Sequence, residues 1–103
     1  MPDPAPAEAW PMVRTILGSL DDVAPAWRWA ALQALPRFKG AQAAALARSL
    51  AKHKDFRVLW HLLPGLRRLD PGAADSLRDR LMLGKDPVAR GIAIEDLSRL
   101  PRN

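Results

Sequence analysis

The sequence predicts an all-α domain built from a repeated helix pair. Three observations predict it: a helix-forming composition, turn residues at helix-length intervals, and self-similarity at one fixed offset. Ala, Leu and Arg dominate the chain, with no Tyr and a single Thr. That balance favours helices over strands. Apolar residues make up 49% of the 103 positions, enough for a globular core at this length.

The elements follow in order. Residues 1–6, MPDPAP, read as a flexible lead-in, because Pro at alternate positions cannot sustain a helix. Residues 7–103 read as one domain. Its first helical segment, AEAWPMVRTILGSL, stops at Asp21-Asp22, and PAWRWAALQALPRF stops at Lys39-Gly40. AQAAALARSLAKH stops at Lys54-Asp55, and FRVLWHLLPGLRRL at Asp70-Pro71-Gly72. AADSLRDRLML stops at Gly84-Lys85-Asp86, and PVARGIAIEDLSRL follows. Asp70 before Pro71 and Asp86 before Pro87 each pair an N-cap with Pro in the first turn. Asp55 can cap the helix before it. Gly40 and Gly84 stand where helix C-termini favour a left-handed residue. Six helices joined by such short turns must run antiparallel to their neighbours.

Sliding the chain against itself by 31 residues aligns both helix types and the turn between them. Asp55 falls on Asp86 and Lys54 on Lys85; Leu46 falls on Leu77 and Leu50 on Leu81. Columns with three members include Trp27/Val58/Ala89, Leu32/Leu63/Ile94, Leu35/Leu66/Leu97, Arg37/Arg68/Arg99 and Phe38/Leu69/Leu100. Leucines alone would match by chance in so Leu-rich a chain. The Asp, Lys and Arg columns in the same frame would not. The unit is therefore a first-type helix followed by a second-type helix. The N-terminal helix fits the second type, since Ile16 and Leu20 match Leu46 and Leu50 with a turn one residue shorter.

This pattern resembles the short HEAT-like repeat of phycobilisome lyases and many bacterial scaffold proteins. The residues that carry the likeness are Arg28, Ala31, Ala34, Leu35 and Phe38 in the first copy, and Arg90, Ala93, Leu97 and Leu100 in the third. The second copy departs from it. Leu59 stands in place of the Arg, Leu62 in place of the small Ala, and Pro64-Gly65 predicts a kink. The resemblance covers residues 24–100 and implies a right-handed α-solenoid with second-type helices on its inner face. It says little about function, because such repeats host many roles.

Several chemistries find no support in the residues. Cys is absent, which removes disulfides, thiolate catalysis and Cys-ligated zinc. His53 and His61 are not spaced as a helical ligand pair and have no carboxylate beside them at ligand spacing. His53 suits a helix end. Thr15, Ser19, Ser49, Ser76 and Ser98 sit in no nucleophile motif, and no phosphate-binding glycine loop occurs. Glu95 and Asp96 are adjacent, so on a helix they diverge by about 100° and make no acid/base couple. No enzyme activity and no cofactor are expected. No apolar run is long enough for a membrane span, and the acidic, Pro-rich start is not a signal peptide. Cytoplasm is the expected compartment.

What remains is surface. The net charge of +5 permits a polyanionic partner. Arg37, Arg68 and Arg99 either complement helix ends or form a row that meets an acidic protein face or phosphates. Arg48, Lys52, Lys54, Arg78 and Lys85 are candidate phosphate contacts, with Lys54 and Lys85 also suited to neutralising helix ends. Trp27 occupies an apolar column and is expected in the core. Trp29 and Trp60 lie about 200° from it on the wheel, and are expected to be partly exposed. Internal packing under Trp10, a protein partner or stacked bases would each suit that pair. The sixth helix has no second-type helix after it, so Ile94 and Leu97 are expected to be only partly covered. Another copy of the chain or a larger protein would complete that face. The sequence thus points to a non-catalytic protein-interaction module, an accessory or adaptor subunit. The alternative is a basic helical subunit on a nucleic-acid backbone.

Overall fold

A computed structural model describes residues 7–38 and 40–100. The lead-in expected over residues 1–6 lies outside the described residues, as does Lys39 at the second helix boundary. The described residues form six α-helices: α1 (Trp10–Gly18), α2 (Pro25–Ala34), α3 (Ala41–Leu50), α4 (Phe56–Leu69), α5 (Pro71–Leu83) and α6 (Pro87–Arg99). Short 3₁₀ turns cover Ala7–Ala9, Leu20–Asp22 and Leu35–Arg37. No strand occurs among the described residues.

Asp70 and Asp86 cap the helices that follow them, as the sequence predicts, whereas Asp55 caps the helix after it and not the one before. Asp55 accepts a hydrogen bond from the Arg57 N–H, Asp70 from the Ala73 N–H and Asp86 from the Val88 N–H. Each satisfies an N–H that a helix start leaves free, worth about 1 kcal/mol. Helix α2 ends earlier than its apolar pattern, at Ala34, and passes into a 3₁₀ turn that contains Pro36. Gly40 has a positive φ of 111°, but as the N-cap of α3 and not at the C-terminus of α2. Gly84 does not: it is extended, with φ −70° and ψ 163°, and its carbonyl accepts from Arg90 Nε at 2.7 Å. The equivalent Arg28 bonds the Val23 carbonyl at 3.2 Å. The Arg of the repeat thus ties α2 and α6 to the turns before them. Leu59, in the same column, is buried instead.

The helices form two layers, α2, α4 and α6 in one and α1, α3 and α5 in the other. Helix α4 packs on α2 and α6 within its layer and on α3 and α5 behind it. The smallest dimension of the molecule is 21 Å, two helix diameters. The core lies between the layers, where Leu32, Leu35, Leu59, Leu62, Leu63 and Leu66 are fully buried. Each such side chain contributes about 1.5–3 kcal/mol through removal from water.

Pro64 and Gly65, the pair at which the sequence predicts a kink, lie inside α4. Gly65 is buried, and a Cβ there would stand 3.1 Å from Pro36 Cγ. The missing side chain is what lets α4 approach the Leu35–Arg37 turn of the preceding repeat.

Candidate functional site

The columns that define the repeat behave differently in its three copies. Leu32 and Leu63 are 2% and 1% exposed, but Ile94 in the same column is 59% exposed. Leu35 and Leu66 are 1% and 0% exposed, but Leu97 is 44% exposed. The chemistry of each column is constant. The difference is the neighbour, since nothing among the described residues packs against that side of α6. Val88 is exposed as well.

The opposite end shows the mirror case. Trp27, expected in the core, is 59% exposed, while its column mates Val58 and Ala89 are 0% and 2% exposed. Val58 and Gly65 lie two turns apart on one stripe of α4, and Gly65 meets Pro36 of the preceding repeat. This stripe therefore faces the preceding repeat, and α2 has no first-type helix on that side. An apolar column specifies a face; it does not supply the helix that covers it.

Trp29 and Trp60 sit on the flank that faces the following repeat. Trp29 is half-buried and stacks on His61 of α4, with ring centroids 4.5 Å apart. Trp10 does not cover it, and instead packs on Phe38 at 5.2 Å. Trp60 remains largely exposed, tilted against His61, with its indole N–H donating to Glu95 Oε2 at 2.8 Å. Glu95 also accepts from Arg99. The third member of the column, Gly91, leaves open space. Trp60 and Gly91 with Phe56, Arg57, Val88 and Ile92 therefore line a groove of about 380 Å³ between α4 and α6.

The arginine row is uneven. Arg68 and Arg99 line one groove with Trp60 and His61. Arg37 lies in the 3₁₀ turn after α2, not at an α-helix end, and does not line it. The candidate phosphate contacts also divide. Arg48 is held by Asp70 at 2.9 Å, and Arg78 by Asp75 and Asp79 at 3.1 Å. Lys52, Lys54 and Lys85 gather around one cavity of about 360 Å³ with His53, Arg80 and Asp86. Arg80 there donates to the Ala51 carbonyl. His53 contacts Asp21 at 3.2 Å and accepts from the Asp55 N–H, so it braces the turns.

One polar cluster escaped the sequence. Asp96 is 2% exposed and takes a bidentate pair from Arg67, with Nε–Oδ1 at 3.0 Å and Nη2–Oδ2 at 2.6 Å. Arg67 also reaches Asp75 at 2.9 Å. The Asp96 hydrogen bond holds the Arg67 guanidinium above its ordinary range, against burial and with help from Asp75. The pair joins α4 to α6 and fixes the last helix to the stack. Asp70 is held below the usual carboxylate range, first by the Ala73 N–H and then by Arg48.

Among the described residues, no group of three or more His, Cys, Asp or Glu side chains could hold a metal ion. No described helix is long and apolar enough to cross a membrane. A stack of paired helices with an open column at each end is the geometry of a helical repeat, and a family model for HEAT repeats matches residues 13–98. The chain belongs to the HEAT repeat family. The match begins within α1 and stops one residue short of the end of α6, so it touches all six described helices. No curated protein and no solved structure matches the chain. HEAT repeats commonly mediate protein–protein interaction, and this array offers extended surface of the kind that role uses.

Proposed function

We propose that this HEAT repeat chain is a non-catalytic accessory or adaptor subunit that docks on a protein through the open face of α6. The observation that carries the reading is the column contrast: Ile94 and Leu97 are open where Leu63 and Leu66 are sealed. An apolar face in repeat register, flanked by Trp60 and Arg99, has the composition of an interface centre. The absence of Cys fits a reducing cytoplasmic location. The 31-residue offset and the Arg28 and Arg90 turn bonds favour the short HEAT type seen in phycobilisome lyases, with no chromophore chemistry attached.

The test is copurification from the native source with the unmodified chain and with Leu97→Glu. Partners retained by the first and lost with the second support the reading. A partner set that Leu97→Glu and Ile94→Glu leave unchanged contradicts it.

Nucleic-acid binding is the second reading, and the lysine cluster favours it. Lys52, Lys54 and Lys85 share one cavity, and no carboxylate pairs with them among the described residues. With each on one phosphate, log affinity would fall against log salt with a slope of about −3 on duplex DNA. No binding at low salt removes this reading.

A further inference from the structure

The two open ends of the array are complementary, and we infer that copies of this chain stack head to tail. The inference rests on reading the α6 face as a protein contact, and it names the occupant. Within the chain, the flank of Leu32 and Trp29 faces the following repeat, because Trp29 stacks on His61. The flank of Leu63 and Trp60 does the same, because Trp60 bonds Glu95. Ile94 continues that flank on α6 and is open. The stripe of Val58 and Gly65 faces the preceding repeat, and Trp27 holds the equivalent position on α2, also open. Every internal repeat junction joins these two sides. The N-terminal end thus presents one half of the junction and the C-terminal end the other.

The helix order agrees. The described helices run second-type, first-type, three times over, from α1 to α6. When α1 of a second copy stands behind α6, it takes the place that α5 takes behind α4 and covers Leu97. The second copy's α2 then lies beside α6, with Trp27 against Ile94. The alternation continues across the boundary without a gap. Such a contact is heterologous, each copy using a different face, so it adds copies in a line.

The experiment is light scattering after size exclusion across a concentration series, on the unmodified chain, Trp27→Glu, Leu97→Glu and their mixture. Both positions are exposed, so the variants should keep the far-UV circular dichroism of the parent; Ile94→Glu replaces Leu97→Glu if that one does not. The unmodified chain should grow in mass with concentration, and each variant alone should stay monomeric. The mixture should form a heterodimer, since the C-terminal face of Trp27→Glu and the N-terminal face of Leu97→Glu are both intact. Four results would overturn the inference: a monomeric unmodified chain, growth of a variant alone, a Trp27→Glu homodimer built through α6, or a mixture that stays monomeric. If the unmodified chain is monomeric yet loses a copurifying protein on Leu97→Glu, the stacking fails and the adaptor reading stands.

Discussion

Helices α4 and α6 carry the same columns of residues and live in different surroundings. Helix α4 has a first-type helix on each side and two second-type helices behind it. Helix α6 has neighbours on one side only. One repeat unit is therefore core in the middle of the stack and surface at its edge. Burial here is a property of position in the array more than of residue type.

Paired substitutions in one column sharpen that contrast most. Leu66→Ala should cost about 3 kcal/mol in chemical denaturation, through lost burial and a cavity. Leu97→Ala in the same column should stay within about 0.5 kcal/mol. Equal losses at both positions would break the comparison. A loss of similar size is expected at the tie between the two helices. Asp96→Ala leaves the Arg67 guanidinium with Asp75 as its remaining carboxylate and should cost about 3 kcal/mol.

Glycines give a smaller contrast of opposite sign. Gly65→Ala drives a Cβ into the Pro36 ring between two packed repeats and should destabilise by about 1 kcal/mol. Gly91→Ala meets open space on α6 and should stabilise by about 0.5–1 kcal/mol through helix propensity. Thermal melts of the two variants read both signs.

The smallest expected effect concerns acid. The folded Asp70 carboxyl titrates below its unfolded range, so its contribution is complete near neutral pH and fades as pH falls through the folded value. Asp70→Asn should lower the melting temperature at neutral pH and narrow the gap to the unmodified chain on acidification. A gap that widens in acid would contradict this.

Much of the fold was legible because its signals are local. The Asp caps act within three residues, and the 31-residue offset needs only the chain itself. Trp27 was misplaced because an amphipathic pattern marks which face is apolar without saying whether a neighbour covers it. Gly84 was misread because the Arg90 bond holds its carbonyl in an extended turn. The Arg67–Asp96 pair spans 29 positions and two helices, and neither residue matches its column mates, Pro36 and Ser98 or Ala34 and Gly65. A break in two columns at once was the available signal. The candidate site was legible in part. Ile94 and Leu97 followed from the helix order, whereas the split of the basic residues depended on which carboxylates they reach in space.

The proposed role gives the open columns of α6 to contact with another molecule and not to the fold. The most direct measurement compares Leu97→Glu with the unmodified chain in two readouts on the same samples, stability by denaturation and mass by light scattering. Leu97→Glu should leave stability unchanged within about 0.5 kcal/mol and abolish assembly. A stability loss as large as that of Leu66→Ala, or assembly that survives the substitution, would contradict it.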